Sequence, residues 1–238
     1  MTNEVKSTNF VISKVAAPWE EQLAARLRGF GPLGLFAIVV IVFTQLYSVA
    51  LAAVMVVVWA RLSNTPWREI GYTRPKSWAA SALGGLVFGV VFKLLMKAVV
   101  MPLLGADPVT HVYQYLAGNR AEIFWFLLIV LTAGATEETV YRGYAFERLG
   151  KILGASRWAK VLMIFFTSVW FGWVHYPNRG VDAVEQAAIV GAVFATIFAF
   201  RGRLFMLMCA HSAFDLAAYA LIYWNLERKV AHWVFRAP

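Results

Sequence analysis

Residues 30–60 run for 31 positions without one charged side chain. The hydrocarbon core of a bilayer takes ~20 apolar residues per helical span. At 1.5 Å per residue, 31 helical residues reach ~46 Å. That is long for one crossing and too short for two, so we read one long or tilted helix. Five more apolar stretches follow, at residues 79–104, 121–149, 157–175, 184–200 and 204–224. Pro and Gly punctuate the polar joints between them, as in the Tyr-Pro-Asn-Arg-Gly run at 176–180. The pattern predicts an all-α, polytopic transmembrane helical bundle of about six spans.

Composition agrees. The chain is 61% hydrophobic with a mean hydropathy of +0.63, whereas soluble domains are nearer half apolar. The net charge of +9 is what loops rich in Lys and Arg give when they meet anionic headgroups. No basic-plus-aromatic stripe points to nucleic acid, so the expected partner is the lipid bilayer. The sequence leaves the oligomeric state open. Residues 1–28 have no apolar block and read as a polar tail, not a signal peptide, with a short interfacial helix near Trp19. The lone cysteine, Cys209, excludes a disulfide framework or a cysteine metal cluster. The chain divides into a tail at 1–29, helices and loops at 30–120, a core at 121–224 and a short basic tail at 225–238. Basic residues mark the loops after 60, 148 and 200 as cytoplasmic. The amino-terminal tail is basic too, and one span at 30–60 would put it on the other side. The rule contradicts itself on that topology.

Inside the third apolar stretch stand two adjacent acids, Glu137 and Glu138. An ionisable group at membrane depth costs at least ~2.5 kcal/mol, so it is kept for chemistry or to hold chemistry in place. Glu138 and Arg142 are i, i+4 on a helix and form a neutralising pair. Glu137 lies on another stripe with no cation built in, and so is the candidate general base. Phe171 lies one turn before His175. Glu137 and His175 stand equally far, in sequence, from the turn near Ser156, so a regular hairpin brings them to one level. His211 and Asp215 are again i, i+4, and a carboxylate beside an imidazole fixes its tautomer.

Glu-Glu-x-x-x-Arg, Phe-x-x-x-His and His-x-x-x-Asp, in this order on successive helices, resemble the CPBP intramembrane proteases. This family is also called Abi and includes the type II CAAX prenyl endopeptidases. The resemblance spans roughly residues 121–221. It implies an intramembrane endopeptidase acting on a membrane-associated peptide or protein, in which Glu137 and His175 activate water, Glu138 and Arg142 support Glu137, and His211 with Asp215 holds the oxyanion. It also allows a metal reading, with Glu137, His175 and His211 binding Zn2+. There is no His-Glu-x-x-His, although a Glu/His/His zinc set is chemically sound. We favour the metal-free reading, which requires no cofactor.

The expected location is the cell (inner) membrane of a prokaryote. Two alternatives use the same buried groups: a proton-coupled transporter, which internal inverted repeats would favour, and a non-catalytic membrane partner of the immunity type. No internal repeat is visible. Lys93 and Lys97, i, i+4 in the second stretch, are expected to snorkel or to meet a carboxylate across the bundle. The Gly84-Gly85 pair is expected at a close helix contact. His111 and His232 are expected in solvent.

Overall fold

The computed structural model describes residues 18–235, which form helices with no strand among them. Eleven α-helical segments are α1 (Trp19–Arg28), α2 (Pro32–Tyr47), α3 (Val49–Leu62), α4 (Trp78–Leu95), α5 (Met101–Leu103), α6 (Ile123–Glu138), α7 (Ala145–Leu153), α8 (Arg157–Trp173), α9 (Tyr176–Arg201), α10 (Phe205–Tyr223) and α11 (Glu227–Ala231). Most of the polar joints expected from the sequence are present, and Gly154 and Gly202 take positive φ at two of them.

 Four helical stretches are long and apolar enough to cross a membrane: Trp78–Leu103, Arg120–Leu153, Gly180–Arg201 and Phe205–Tyr223. A fifth is counted if α1 and α2, bent by 57°, are taken together. The chain is an integral membrane protein. α8, with 17 residues, packs among these spans and runs ~25 Å.

The expected single helix at 30–60 is broken. Ser48 takes extended backbone (φ −156°, ψ 104°), and its side chain accepts a hydrogen bond from the Leu51 amide, capping α3. An uncharged run hides such a break, because Ser48 is the only signal and serine is common inside apolar helices. α2 and α3 reach only ~24 and ~21 Å, short of a ~30 Å core. They also turn back on themselves. Trp59 Nε1, near the end of α3, donates to the Leu27 carbonyl at the end of α1 (3.1 Å). Arg28 pairs with Glu69 in the following loop (2.9 Å), and Arg148 of α7 donates to the Arg28 carbonyl (2.9 Å). At the far end of the pair, buried Gln45 accepts from the Tyr141 hydroxyl. α2 and α3 are therefore a short hairpin that enters and leaves at one end of the molecule. The all-helical bundle is as expected, with four or five stretches long enough to cross where about six were expected.

Two smaller corrections concern residues 176–180 and the glycines. Tyr176 already begins α9 instead of closing α8, and Gly180, at φ 73°, marks the kink within it. At the close contact of α4 with α10, a Cβ on Gly85 would lie 2.5 Å from the Met206 carbonyl oxygen, and one on Gly89 would lie 2.1 Å from that of Ala210. Gly84 faces open space. The close-packing pair is thus Gly85 and Gly89, one helical turn apart.

One end of the bundle gathers the basic joints. Lys151 reaches Glu69 (3.0 Å), and the Leu204 amide donates to the Gly71 carbonyl (3.0 Å). Burial opposes ionisation of Glu69, but hydrogen bonds from Lys151 and Arg28 outweigh it and hold the carboxyl below its usual range. The opposite end is tied by Glu227 of α11. It meets Lys97 (3.0 Å), and it accepts from the Thr110 hydroxyl (2.6 Å) and the Gln114 amide (3.0 Å). Lys97 finds its carboxylate across the bundle, while Lys93 donates to Gln186 (3.0 Å) and lies over the Phe214 ring.

Candidate active site

α6 delivers both glutamates at its last turn. A π-helical stretch, Thr139–Tyr144, follows immediately, and such widened turns occur often at functional sites. Glu138 and Arg142 are almost sealed from solvent, their side chains 0% and 1% exposed. Arg142 donates to Glu138 Oε1 (3.0 Å) and to the Gly191 carbonyl (3.3 Å). Its guanidinium lies over the Phe171 ring, 4.5 Å from the centroid. The i, i+4 pairing expected from the sequence is present.

Glu138 has a second partner that the sequence did not reveal. His211 Nδ1 lies 2.7 Å from the same Oε1. A carboxylate facing Arg142 can only accept, so Nδ1 carries the hydrogen. Glu138, not Asp215, therefore holds and orients the His211 ring. Asp215 lies 3.7 Å from Nε2, and Glu137 Oε2 lies 3.6 Å from the same nitrogen. This corrects the expected division of labour: Glu138 holds His211. The signal was a long-range contact between α6 and α10, which no short motif encodes. Gly134 makes it: a Cβ there would come within 2.3 Å of Ser212 Oγ and 2.6 Å of the Met208 carbonyl oxygen. Gly134→Val should push the helices apart, costing about 1–3 kcal/mol and most of any activity. Thermal unfolding of the purified variant in detergent checks this, and an unchanged midpoint would sink it.

His175 sits just past the end of α8. Its Nδ1 is 2.7 Å from the Phe171 carbonyl oxygen. A carbonyl only accepts, so Nδ1 donates and Nε2 keeps its lone pair. The Phe171 ring lies edge-on to His175 (4.9 Å) and also to His211 (6.0 Å). It also meets Tyr141 at 4.9 Å. Tyr141 and Phe171 are each 15 residues from Ser156, so the hairpin keeps its register one turn below Glu137 and His175.

Glu137, His175, His211 and Asp215 all line one cavity of about 400 Å³. Glu138 and Arg142 stand behind its wall. The structure thus gathers all six expected residues into a single cluster, four facing the cavity and two buried beneath it. The cavity wall is mixed, with apolar patches from Val130, Ala133 and Val190 between the polar groups. A site of this kind can hold water against an imidazole lone pair and a carboxylate.

Among the described residues, no three His, Cys, Asp or Glu side chains are arranged to hold a metal ion. One nitrogen of each imidazole is engaged, His211 Nδ1 with Glu138 and His175 Nδ1 with Phe171. Glu137, His175 and His211 are not arranged as a three-ligand cage in this geometry.

Residues 119–217 match the family described as type II CAAX prenyl endopeptidase Rce1-like. The match contains every residue of the cluster. No curated protein and no solved structure matches the chain.

Proposed function

We propose that this chain, whose residues 119–217 match the Rce1-like family of type II CAAX prenyl endopeptidases, hydrolyses a peptide bond of a membrane-associated substrate in the cavity between α6, α8 and α10. The observation that carries the reading is the shared wall of Glu137, His175, His211 and Asp215. Water bound there gives a proton to Glu137 as its oxygen bonds to the scissile carbonyl carbon. His175 Nε2, left as an acceptor by the Phe171 carbonyl, orients that water. His211, as the imidazolium, keeps its Nδ1–H on Glu138 and donates its Nε2–H to the developing oxyanion. Collapse of the tetrahedral intermediate breaks the C–N bond, and Glu137 returns its proton to the leaving amine. The cell membrane of a prokaryote is the proposed location.

His211→Ala should lower kcat by ~10²–10³, the usual cost of losing one oxyanion donor. His175→Ala should stop cleavage while leaving the unfolding temperature unchanged. The test is a membrane proteome from cells carrying either variant in place of the wild type, scored for proteins that accumulate uncut. Wild-type fragment patterns in the His175→Ala strain would overturn the assignment. Metal analysis of the purified protein, together with activity after chelation, tests the metal-free chemistry separately.

A further inference from the structure

The two ends of the bundle differ in charge. Segments 19–28, 61–78, 145–160 and 201–203 meet at one end and hold twelve Lys and Arg against four Asp and Glu. Segments 104–122, 176–185 and 224–231 meet at the other end and hold four against five. Contacts fix each grouping. Arg28–Glu69 and Lys151–Glu69 join the first. Asp107 to Asp182 (3.0 Å), Thr110 to Glu227 and Gly118 to Tyr223 (3.0 Å) join the second.

The α2–α3 hairpin removes the contradiction in the charge pattern. Because it returns to the end it left, the basic segment at 19–28 and the basic loop after α3 lie on one side. Every strongly basic joint then shares a face, which the positive-inside rule makes cytoplasmic.

The cavity lies toward the other face. Its outer wall is built by Asp107, Thr110, Tyr115, Asp182 and Glu227, all from the weakly charged end. We infer that the cavity opens on the extracytoplasmic side, so that its substrate is a peptide segment presented at the outer membrane surface and not a lipidated tail in the cytoplasm. The inference rests on the proposed hydrolysis only for the word substrate; the sidedness itself does not depend on catalysis.

The experiment uses full-length protein with Cys209→Ala as background and one new cysteine at a time. Val112→Cys places a thiol at the cavity rim, where Val112 is 51% exposed; Ile152→Cys and Trp19→Cys place it on the basic face, at residues 64% and 70% exposed. Spheroplasts are treated with a membrane-impermeant maleimide, with detergent-solubilised protein as the reactivity control. Val112→Cys should label in intact spheroplasts, and Ile152→Cys and Trp19→Cys only after permeabilisation. The reverse pattern, or labelling of either end from both sides, overturns the inference. Trp19→Cys labelling together with Val112→Cys would show that α2 and α3 do not return, and would overturn it as well. If the labelling holds while Glu137→Gln leaves cleavage untouched, the sidedness stands and the hydrolase reading falls.

Discussion

Glu137→Gln should lower the cleavage rate by ~10²–10⁴, the range for loss of a general base, with no loss of folded protein. The amide keeps the shape of the side chain but cannot take a proton from water. Glu137 faces the cavity with 18% side-chain exposure and lies 3.6 Å from His211 Nε2, so the swap weakens that contact but leaves the buried Glu138–Arg142 pair in place. Glu138→Gln has a different signature. That carboxylate is fully buried and holds Arg142 and His211 through one oxygen, so its loss should lower stability and activity together. Two adjacent glutamates thus separate into a group that reacts and a group that positions. Initial rates and unfolding midpoints for both purified variants check the separation. A Glu137→Gln enzyme that keeps the wild-type rate would end the case for Glu137 as the base.

Parts of this arrangement were legible in the sequence because they are local. The Glu138–Arg142 pair needs only helical spacing, and the shared depth of Glu137 and His175 needs only a regular turn near Ser156; both hold. What escaped depends on contacts between distant segments. The bond from Glu138 to His211 requires α6 to approach α10 at Gly134, and no feature of either motif states that distance. The break at Ser48 escaped for another reason: apolar side chains satisfy lipid equally well on a spanning helix and on a hairpin, so hydropathy cannot distinguish them. The π-helical turns at Met96–Val100 and Thr139–Tyr144 were also invisible. Each contains a buried cation, Lys97 or Arg142, whose place in the bundle is set by its partners.

Arg142→Ala should be the most destabilising single change at the site, costing ~3–5 kcal/mol, as when one partner of a buried ion pair is removed. Against a total of ~5–15 kcal/mol for a typical protein, that leaves little margin. Four interactions are lost at once: the bond to Glu138, the bond to the Gly191 carbonyl and the contacts with the Phe171 and Phe194 rings. The carboxylate left behind keeps only His211 as a charge partner. Arg142→Lys keeps a cation but not the planar fork that serves two acceptors and an aromatic face, so it should fall between Ala and wild type. Adding Glu138→Gln to Arg142→Ala removes the orphaned charge and should recover part of the stability, although not the activity, because His211 then lacks its carboxylate. Thermal unfolding of the three variants in one detergent gives the order. If Arg142→Ala melts at the wild-type temperature, or if the second substitution lowers the midpoint further, the buried pair is not what holds α6 in place.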